Sequence, residues 1–444
     1  MPRLTTTLEE KKRAPYTKST GVPRPRHKRD GQDNDFIQTA EKADGSDTIL
    51  LNGTDALNNR LIGGAVDNAF TTSLRFAIHT TAKITTAPFF VNCNDTTPLE
   101  IVSIQCLYDV TNGAALTAYV SKDGAGQAPG AGTSAMTGTF NLNTTARTLQ
   151  TATLAGARGY PGMVLNPGEQ LSLKLSTTTT SLAGLIIAVG VRPHTGVSIA
   201  QYYRSANGDI ATGTIYLNVV PGTSVRAVAV RWGTAGTDAG AVTCDVTKDT
   251  STNAPGAGTS VLGAAQSVKG TANVAVYPAL ASLTTRTMAV GDRLAIKMTG
   301  TLTALANLCV SVFFNAGPDS HIVIPLTSWD AQATDRTVYV ADTYIRVTDY
   351  WGTWSTASSS NKKLLTKDTG TQAAGAGTGL LTDNSAAGID TSTTANTPVG
   401  SLPLTAVSTM PTLWLAPGDR LGIKNAGTTG SLAGFSDAIV LRKV

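Results

Sequence analysis

Residues 122–134 read Lys122-Asp123-Gly-Ala-Gly-Gln-Ala-Pro-Gly-Ala-Gly-Thr-Ser, and the same pattern returns twice further along the chain. The second copy begins at Lys248-Asp249 and the third at Lys367-Asp368, with the same spacing from the Lys to the first glycine of a Gly-Ala-Gly run. Repetition decides domain organisation, so it is the first feature to interpret. A Gly-rich, polar segment of this kind is typical of a connection between two strands.

Three further elements accompany this stretch in the same order in every copy. An aromatic, strand-like segment precedes it, a turn and strand of the Gly-Asp-Arg-Leu type follow it, and a segment of the Ser-Leu-Ala-Gly type closes the unit. The three sets begin at Phe89, Pro167 and Ser181; Ile215, Val290 and Ala304; and Val338, Pro417 and Ser431. The period, about 120 to 127 residues, is that of a whole domain and not of a short solenoid unit.

The repeats carry the patterns of β-strands. Leu294–Met298 alternates apolar with small or charged residues, which indicates a half-buried strand. Leu185–Val191 is continuously apolar, which indicates a central strand covered on both faces. Strands spaced by roughly 8 to 12 residues, about eight per repeat, favour a sandwich or a jelly roll. This pattern leaves jelly-roll and immunoglobulin-like topologies both open.

The fold class that follows is all-β: three tandem, jelly-roll-like β-sandwich repeats behind an extended N-terminal arm. The predicted divisions are the arm, 1–65, and the repeats, 66–198, 199–321 and 322–444.

The net positive charge is concentrated in the first 30 residues of the arm. Residues 1–30 hold nine basic and three acidic residues, a net charge of +6, whereas the rest of the chain carries −1. Its prolines favour an extended strap, and few aromatic residues interleave with its charges as nucleic-acid binding would favour. We therefore expect the arm to contact an acidic protein surface, with nucleic acid as the second choice. The anchoring residues are Arg3, Lys11, Lys12, Arg13, Lys18, Arg24, Arg26, Lys28 and Arg29.

The sequence offers no set of residues for catalysis. Its four histidines and four cysteines lie far apart without metal-ligand spacing, and we interpret the cysteines as buried small apolar residues. The glycine runs lack the Gly-Lys-Ser/Thr of a phosphate loop, and no Gly-x-Ser-x-Gly motif occurs. We expect neither an enzyme nor a bound cofactor or metal.

A repeated lysine raises a further possibility, a covalent bond from Lys to Asn or Asp of the kind that some β-sandwich adhesins form. The repeated residues are Lys174, Lys297 and Lys424. That chemistry needs a desolvated amine, and the alternation of these strands points all three lysines to solvent. The pattern therefore argues against a crosslink at these positions.

Aromatic residues concentrate in the third repeat. Exposed Trp and Tyr side chains stack on sugars or anchor partner proteins. The candidate ligand-facing residues are Trp329, Tyr350, Trp351 and Trp354. The favoured alternative is that they fill the core or a contact between repeats, because large aromatic residues are mostly buried.

With its Thr/Ala/Gly-rich tandem sandwiches, its Pro-Gly-Asp-Arg-Leu-x-Ile-Lys strand and its closing Leu-Ala-Gly segment, the chain resembles virion structural proteins of tailed bacteriophages. The resemblance covers residues 66–444. It implies a non-enzymatic, multicopy, homotrimeric part of the virion, assembled in the host cytoplasm and bound to the major capsid protein or other virion proteins. The expected role is capsid decoration or cement, or a head-auxiliary protein held by its arm.

Two other roles stay open. The aromatic residues of the third repeat favour a receptor- or carbohydrate-binding tail, fibre or collar component. The pairing of a basic arm with jelly rolls is shared with the coat proteins of small RNA viruses, although these normally carry one or two such domains.

Overall fold

A computed structural model describes most of the three repeats and three short strands of the arm. The described residues are 25–29, 36–41, 47–51, 72–93, 98–156, 161–193, 197–220, 222–315, 321–327, 334–341, 344–381, 388–400 and 413–443. The chain divides into two compact units, Met1–Ala69 and Phe70–Val444.

The first unit contains a three-stranded antiparallel sheet. Its strands are β1 (Pro25–Arg29), β2 (Phe36–Glu41) and β3 (Asp47–Leu51), and they pair in chain order. The sequence predicts an extended backbone here but not the pairing of these strands, because the arm shows no sustained alternation of apolar and polar residues.

The second unit begins with repeat 1. Its strands are β4 (Thr72–Ile78), β5 (Ala87–Val91), β6 (Leu99–Leu107), β7 (Thr117–Asp123), β8 (Thr133–Ser134), β9 (Met136–Thr137), β10 (Phe140–Asn141), β11 (Gln150–Thr151), β12 (Thr153–Leu154), β13 (Val164–Leu165), β14 (Gln170–Leu175) and β15 (Leu185–Pro193). Short 3-10 helices lie at Thr81–Lys83 and Pro161–Met163.

Repeat 2 follows the same plan, and its described elements include one short α-helix. Its elements are β16 (Val197–Arg204), a 3-10 helix (Asn207–Asp209), β17 (Gly213–Leu217), β18 (Thr223–Arg231), β19 (Thr243–Asp249), β20 (Thr259–Ser260), β21 (Gln266–Ser267), α1 (Leu283–Arg286), β22 (Thr287–Met288), β23 (Arg293–Thr299) and β24 (Leu308–Asn315). The predicted boundary at 198/199 falls next to the start of β16.

Repeat 3 closes the described chain. Its strands are β25 (His321–Thr327), β26 (Arg336–Val340), β27 (Ile345–Thr353), β28 (Ser360–Asp368), β29 (Thr378–Gly379), β30 (Ile389–Asp390), β31 (Trp414–Leu415), β32 (Arg420–Thr428) and β33 (Ser436–Lys443). The predicted boundary at 321/322 falls next to the start of β25.

Each repeat is a sandwich of two antiparallel sheets with one strand order. In repeat 2 one sheet runs β16-β24-β18-β22 and the other runs β17-β23-β19-β20, with β21 also on β19. Repeat 1 has the corresponding orders β4-β15-β6 and β5-β14-β7, and repeat 3 has β25-β33-β27-β31 and β26-β32-β28. Successive long strands lie in different sheets except at the step from the fourth to the fifth, which are neighbours in one sheet. The last strand returns beside the first, and this connectivity is that of a jelly roll. The structure decides between the two topologies that the sequence left open.

The apolar residues between the sheets form the cores. The last strand of each repeat is central in its sheet, and Leu185–Val191 is buried throughout, as predicted. The prediction of a half-buried strand at Leu294–Met298 is wrong for its first part, because Arg293–Ile296 are all buried. Arg293 of this strand donates to the carbonyls of Ser251 and Asn253 in a loop of the same repeat, a contact that local alternation does not encode.

The three repeats meet in a cyclic order. Strand β5 of repeat 1 packs on β16 and β24 of repeat 2, and β17 of repeat 2 packs on β25 and β33 of repeat 3. Strand β26 of repeat 3 packs on β15 of repeat 1, and its Tyr339 ring lies under the Arg75 guanidinium of β4. The second strand of every repeat therefore meets the first and last strands of the next repeat. Because the third contact returns to repeat 1, the repeats form a closed ring with an approximate threefold relation.

The four cysteines are buried and free, as predicted. Burial raises the pKa of the Cys106, Cys244 and Cys309 thiols. Within the described ranges, no helix is long and apolar enough to cross a membrane.

Candidate functional site: the interfaces between the repeats

The repeated Lys-Asp stretch forms what we call the Gly-Ala-Gly loop, residues 123–132, 249–258 and 368–377. In repeat 1, Asp123 Oδ2 accepts from Gly130 N at 3.1 Å and Oδ1 accepts from Gly132 N at 2.9 Å. Asp249 and Asp368 accept from the equivalent glycines at 2.8 to 3.0 Å. A buried carboxylate that accepts two backbone N–H groups fixes the loop, which explains why the Asp and both glycines recur at fixed spacing.

The second glycine of each Gly-Ala-Gly run lies against the backbone of the preceding strand. A Cβ atom on Gly132 would lie 1.9 Å from the Lys122 carbonyl oxygen, and one on Gly258 would lie 2.0 Å from that of Lys248. Such a close approach of two backbones excludes any side chain. The motif therefore records a packing requirement of the loop and not a phosphate site.

The loop of repeat 1 receives a buried arginine from repeat 2. Arg231 is fully buried, and its Nη2 donates to the Gly124 carbonyl at 2.9 Å and to the Gln127 carbonyl at 2.8 Å. Its Nη1 donates to the Gly168 carbonyl at 3.0 Å and lies 3.4 Å from that of Asp123. One guanidinium thus joins two loops of the neighbouring repeat, and its fork of donors suits several acceptors at once.

The other two interfaces use an arginine of a different strand. Arg293 Nη2 donates to the Ser251 and Asn253 carbonyls of its own loop, and its Nη1 reaches the Asn396 carbonyl of repeat 3. Arg420 Nη2 likewise donates to the Gly370 and Gln372 carbonyls of its own loop. In all three loops the arginine contacts the carbonyl at the equivalent position, Gln127, Asn253 or Gln372.

Comparison of equivalent positions explains why the arginine comes from different strands in the three interfaces. Arg293 and Arg420 correspond to Gln170 in repeat 1, and Arg231 corresponds to Leu107 and Thr353. Where the loop's own repeat lacks the arginine, the next repeat supplies it. Each interface therefore contains one such buried guanidinium, and burial lowers the pKa of all three below the ordinary arginine value.

The interface between repeats 3 and 1 adds a carboxylate. Burial raises the pKa of Asp109 to about 6, against the opposing charges of Arg147 and Arg420. Asp109 belongs to repeat 1 and Arg420 to repeat 3, so this pair of charges couples the end of the chain to its first repeat. Asp109 Oδ1 has no hydrogen-bond partner among the described residues.

A second recurring position was missed at the sequence level. Tyr108, Trp232 and Trp354 are buried at equivalent places, directly after the third long strand of each repeat. The carbonyl of each accepts from a non-glycine residue with positive φ, respectively Arg147, Asn273 and Asn396. The Asn273 carbonyl in turn accepts from Gly126 N of repeat 1, so this turn belongs to the interface. An aromatic residue that recurs 13 to 16 residues before each Lys-Asp motif was the signal that could have revealed it.

The ligand-facing interpretation of the third repeat's aromatic residues is wrong for two of them. Tyr350 and Trp354 are 0% and 1% exposed, and the Trp354 indole N–H donates to the Thr393 carbonyl at 3.3 Å. Trp351 is partly buried, packs against the core of repeat 2 and donates to Asp349 Oδ2 at 2.8 Å. Core and interface packing account for these three, as the alternative held. Trp329 lies outside the described residues.

The basic residues of the arm cannot be assigned contacts. Arg3, Lys11, Lys12, Arg13, Lys18 and Arg24 lie outside the described residues, and Arg26, Lys28 and Arg29 are described only as backbone of β1. Their role as an anchor stays a prediction.

The acidic residues of the recurring turns have a structural role, as their one-per-repeat placement indicated. The carboxylates of Glu169, Asp292 and Asp419 each accept from the backbone N–H three residues earlier, at 2.6 to 2.8 Å. Lys297 and Lys424 are exposed and Lys174 is partly exposed, as predicted. Across the described parts of the chain, no group of three or more His, Cys, Asp or Glu side chains is placed to hold a metal ion.

Comparison with known proteins adds no relative: no family model matches the chain, and a search of curated proteins found no match.

Proposed function

We propose that the protein is a virion structural protein, a capsid decoration, cement or head-auxiliary protein held on the shell by its arm. The observation that carries the proposal is the closed ring of three jelly rolls within one chain. The jelly roll is a common architecture of viral capsid proteins, although it also serves lectins and cupins. A ring with an approximate threefold relation presents three similar faces, which suits a threefold position on a symmetric shell.

Three similar faces bind a symmetric surface far more tightly than one. Linked contacts raise overall affinity by about 10²–10⁴ over a single contact when their geometry matches the sites. A charged arm adds a fourth contact, since residues 1–30 carry a net charge of +6 and the remaining chain carries −1. Fusion of the repeats also removes the concentration dependence that a homotrimer would have.

The test is the copy number of the chain in particles purified from its source, measured by quantitative mass spectrometry. A number that matches the threefold positions of the shell supports decoration. A handful of copies contradicts it and favours a tail, collar or vertex component, and absence from particles rejects a virion role. The chain as the sole shell protein would identify it as a coat protein, the second candidate, which the jelly-roll topology of every repeat favours.

The role of the arm is tested separately with a variant that lacks residues 1–65. The two compact units, Met1–Ala69 and Phe70–Val444, predict that the repeats fold without the arm. We expect the variant to keep its β-type circular dichroism and its cooperative unfolding but to lose attachment to particles. Undiminished attachment of the folded variant would contradict anchoring by the arm.

A further inference from the structure

One polar cluster occupies the core of repeat 3. Lys363 and Asn425 are direct partners across β28 and β32, and the Lys363 ammonium nitrogen contacts Asn425 Oδ1. Lys363 is 1% exposed, and its Nζ lies 5.2 Å from the centre of the Phe435 ring. A lysine this deeply buried beside a side-chain amide is rare, because Lys is almost never buried without a specific partner.

The other repeats show that this cluster is not needed for the fold. The same cross-strand pair is Ala118 with Leu175 in repeat 1 and Cys244 with Met298 in repeat 2. Both pairs are apolar, and each jelly roll folds in the same way around them. The polar residues of repeat 3 therefore replace a workable apolar packing, and a buried polar set that replaces one brings no evident gain in stability by itself.

At four more positions around the pair, repeat 3 likewise has a more polar or a charged residue where the other repeats do not. Asn361 replaces Leu116 and Val242, and Asp437 replaces Ile187 and Val310. Arg336 replaces Ala87 and Gly213, and Asp335 replaces Thr86 and Thr212. Asn361 and Asp437 are fully buried. Six substitutions at one place in a single repeat indicate a site and not a scattered drift of core residues.

The hydrogen bonds give each group a place around the amide. Asn361 Nδ2 lies 3.4 Å from Asn425 Oδ1, the atom that would carry negative charge if the amide carbon were attacked. Asp335 Oδ1 accepts from Asn425 N at 2.7 Å and lies 3.4 Å from Asn425 Nδ2, the nitrogen that would leave. Asp437 lies close enough to Lys363 for each charge to shift the pKa of the other.

From this geometry we propose that Lys363 and Asn425 form an intramolecular isopeptide bond that joins β28 to β32. The Lys363 amine attacks Asn425 Cγ, a bond forms between Nζ and Cγ, and the carbonyl electron pair moves onto Oδ1. When the carbonyl re-forms, the bond between Cγ and Nδ2 breaks. The proton given up by Nζ reaches Nδ2 through the carboxyl of Asp335, and one ammonia leaves. No oxidant or other reactant takes part.

The electrostatics suit this reaction. Burial lowers the pKa of Lys363 to about 7, with a further lowering by Arg336, so a large fraction of the amine is neutral and nucleophilic at neutral pH. Burial raises the pKa of Asp437 to about 6, against the opposing charges of Arg336 and Lys363. We assign Asp437 as a positioning residue that balances the charge of the cluster, since its carboxylate interacts with the charge of the amine.

The need for a buried, desolvated amine separates this site from the repeated lysines. Lys297 and Lys424 are exposed and therefore hydrated, whereas the reaction needs a desolvated amine. Lys363 was not singled out from the sequence because it lies in a run of charged and polar residues, Asn361-Lys362-Lys363, that is typical of a solvated strand end.

The test is the intact mass of the full chain under denaturing conditions, followed by peptide mapping. We expect a chain lighter than its sequence by one ammonia, with a branched peptide that joins the segments carrying Lys363 and Asn425. An unmodified mass overturns the proposal, and so does an ammonia loss that maps to another residue. This measurement needs no variant, so a folding defect cannot obscure it.

Variants then assign the roles. Lys363→Met should restore the unmodified mass, whereas the matched control Lys362→Met, one residue away, should still lose ammonia. Asp335→Asn should slow bond formation at least tenfold at every pH. Asp437→Asn should instead shift the pH at which the bond forms, a change that a merely structural role would not produce. An unchanged loss of ammonia in Lys363→Met would reject the assignment.

Discussion

Arg231 of the second repeat donates from Nη2 to the carbonyl oxygen of Gln127 in the first repeat, at a distance of 2.8 Å. In the second and third loops, the equivalent carbonyl accepts from Arg293 and Arg420 of the same repeat. The donor of the first loop therefore comes from a different strand and a different repeat, whereas the acceptor position is the same in all three loops. The loop carbonyls, and not the strand that bears the arginine, therefore define what each interface requires.

Replacing Arg231 by Met should destabilise the ring strongly. The substitution leaves four carbonyls of repeat 1 without their donor inside a closed interface. A buried acceptor that is left unsatisfied costs about 1–3 kcal/mol of unfolding free energy, so the substitution should cost at least that much. Denaturant unfolding measures it, with Lys297→Met, an exposed residue, as the control that should change little.

The exchange of donors predicts a rescue. The double variant Gln170→Arg with Arg231→Thr gives the first interface the residues of the second, which has Arg293 and Thr353. We expect it to recover at least half of the stability lost in Arg231→Met. A double variant no more stable than Arg231→Met would show that the two arginine positions are not interchangeable.

The Gly-Ala-Gly loop predicts a sharp contrast between two glycines of repeat 2. Gly258→Ala places a Cβ 2.0 Å from the Lys248 carbonyl oxygen and should lower the free energy of unfolding by about 2–4 kcal/mol. Gly240→Ala meets nothing within 4 Å and should be neutral or stabilising by about 0.4–1 kcal/mol. Thermal unfolding of both variants checks the prediction, and equal effects would contradict the close approach.

Asp109 predicts a pH dependence of stability. Its pKa is raised to about 6 in the folded chain by burial, so the folded state holds a proton that the unfolded state releases between about pH 4 and 6. This group therefore lowers the free energy of unfolding as pH rises through that window, by up to about 3 kcal/mol, and the penalty persists above it.

The comparison that isolates this effect is Asp109→Asn against the native chain, by denaturant unfolding at pH 4, 5, 6 and 7. The asparagine does not titrate, so the variant should lose the fall in stability over that window. The titratable and charged groups around Asp109 are Arg147, Arg420 and Asp368, and they are unchanged in the comparison. A constant difference between the two chains from pH 4 to 7 would show that Asp109 has its ordinary pKa.

The crosslink predicts a stability difference that the cluster alone does not. A covalent bond across the 62 residues from Lys363 to Asn425 stabilises the folded chain by about 4 kcal/mol through the lost freedom of the unfolded chain. Lys363→Met should lower the stability by about that amount. If the native chain forms no bond, the same substitution should leave the stability unchanged or raise it, because Cys244 and Ala118 are tolerated at this position in the other repeats.

The sequence revealed the interfaces only in part. The recurrence of Lys122-Asp123 pointed to the loops, and their structural role is confirmed by the hydrogen bonds of Asp123. The function of Arg231 could not be predicted, because it occurs once and its partners lie more than 60 residues away in the chain. The same holds for Tyr350, whose aromatic ring gives no local sign of whether it faces a ligand or the core.

The sequence by itself determined the three repeats, the all-β class and the positions of the long strands, because alternation, turn residues and repetition act over short stretches of chain. Only the tertiary structure decided the jelly-roll topology, the closed ring and the meeting of Lys363 with Asn425. Each of these depends on which distant strands pair and which faces become dry. Burial then converts ordinary residues into unusual ones: the arginine in an interface and the lysine in a core acquire their properties from the water that the fold removes.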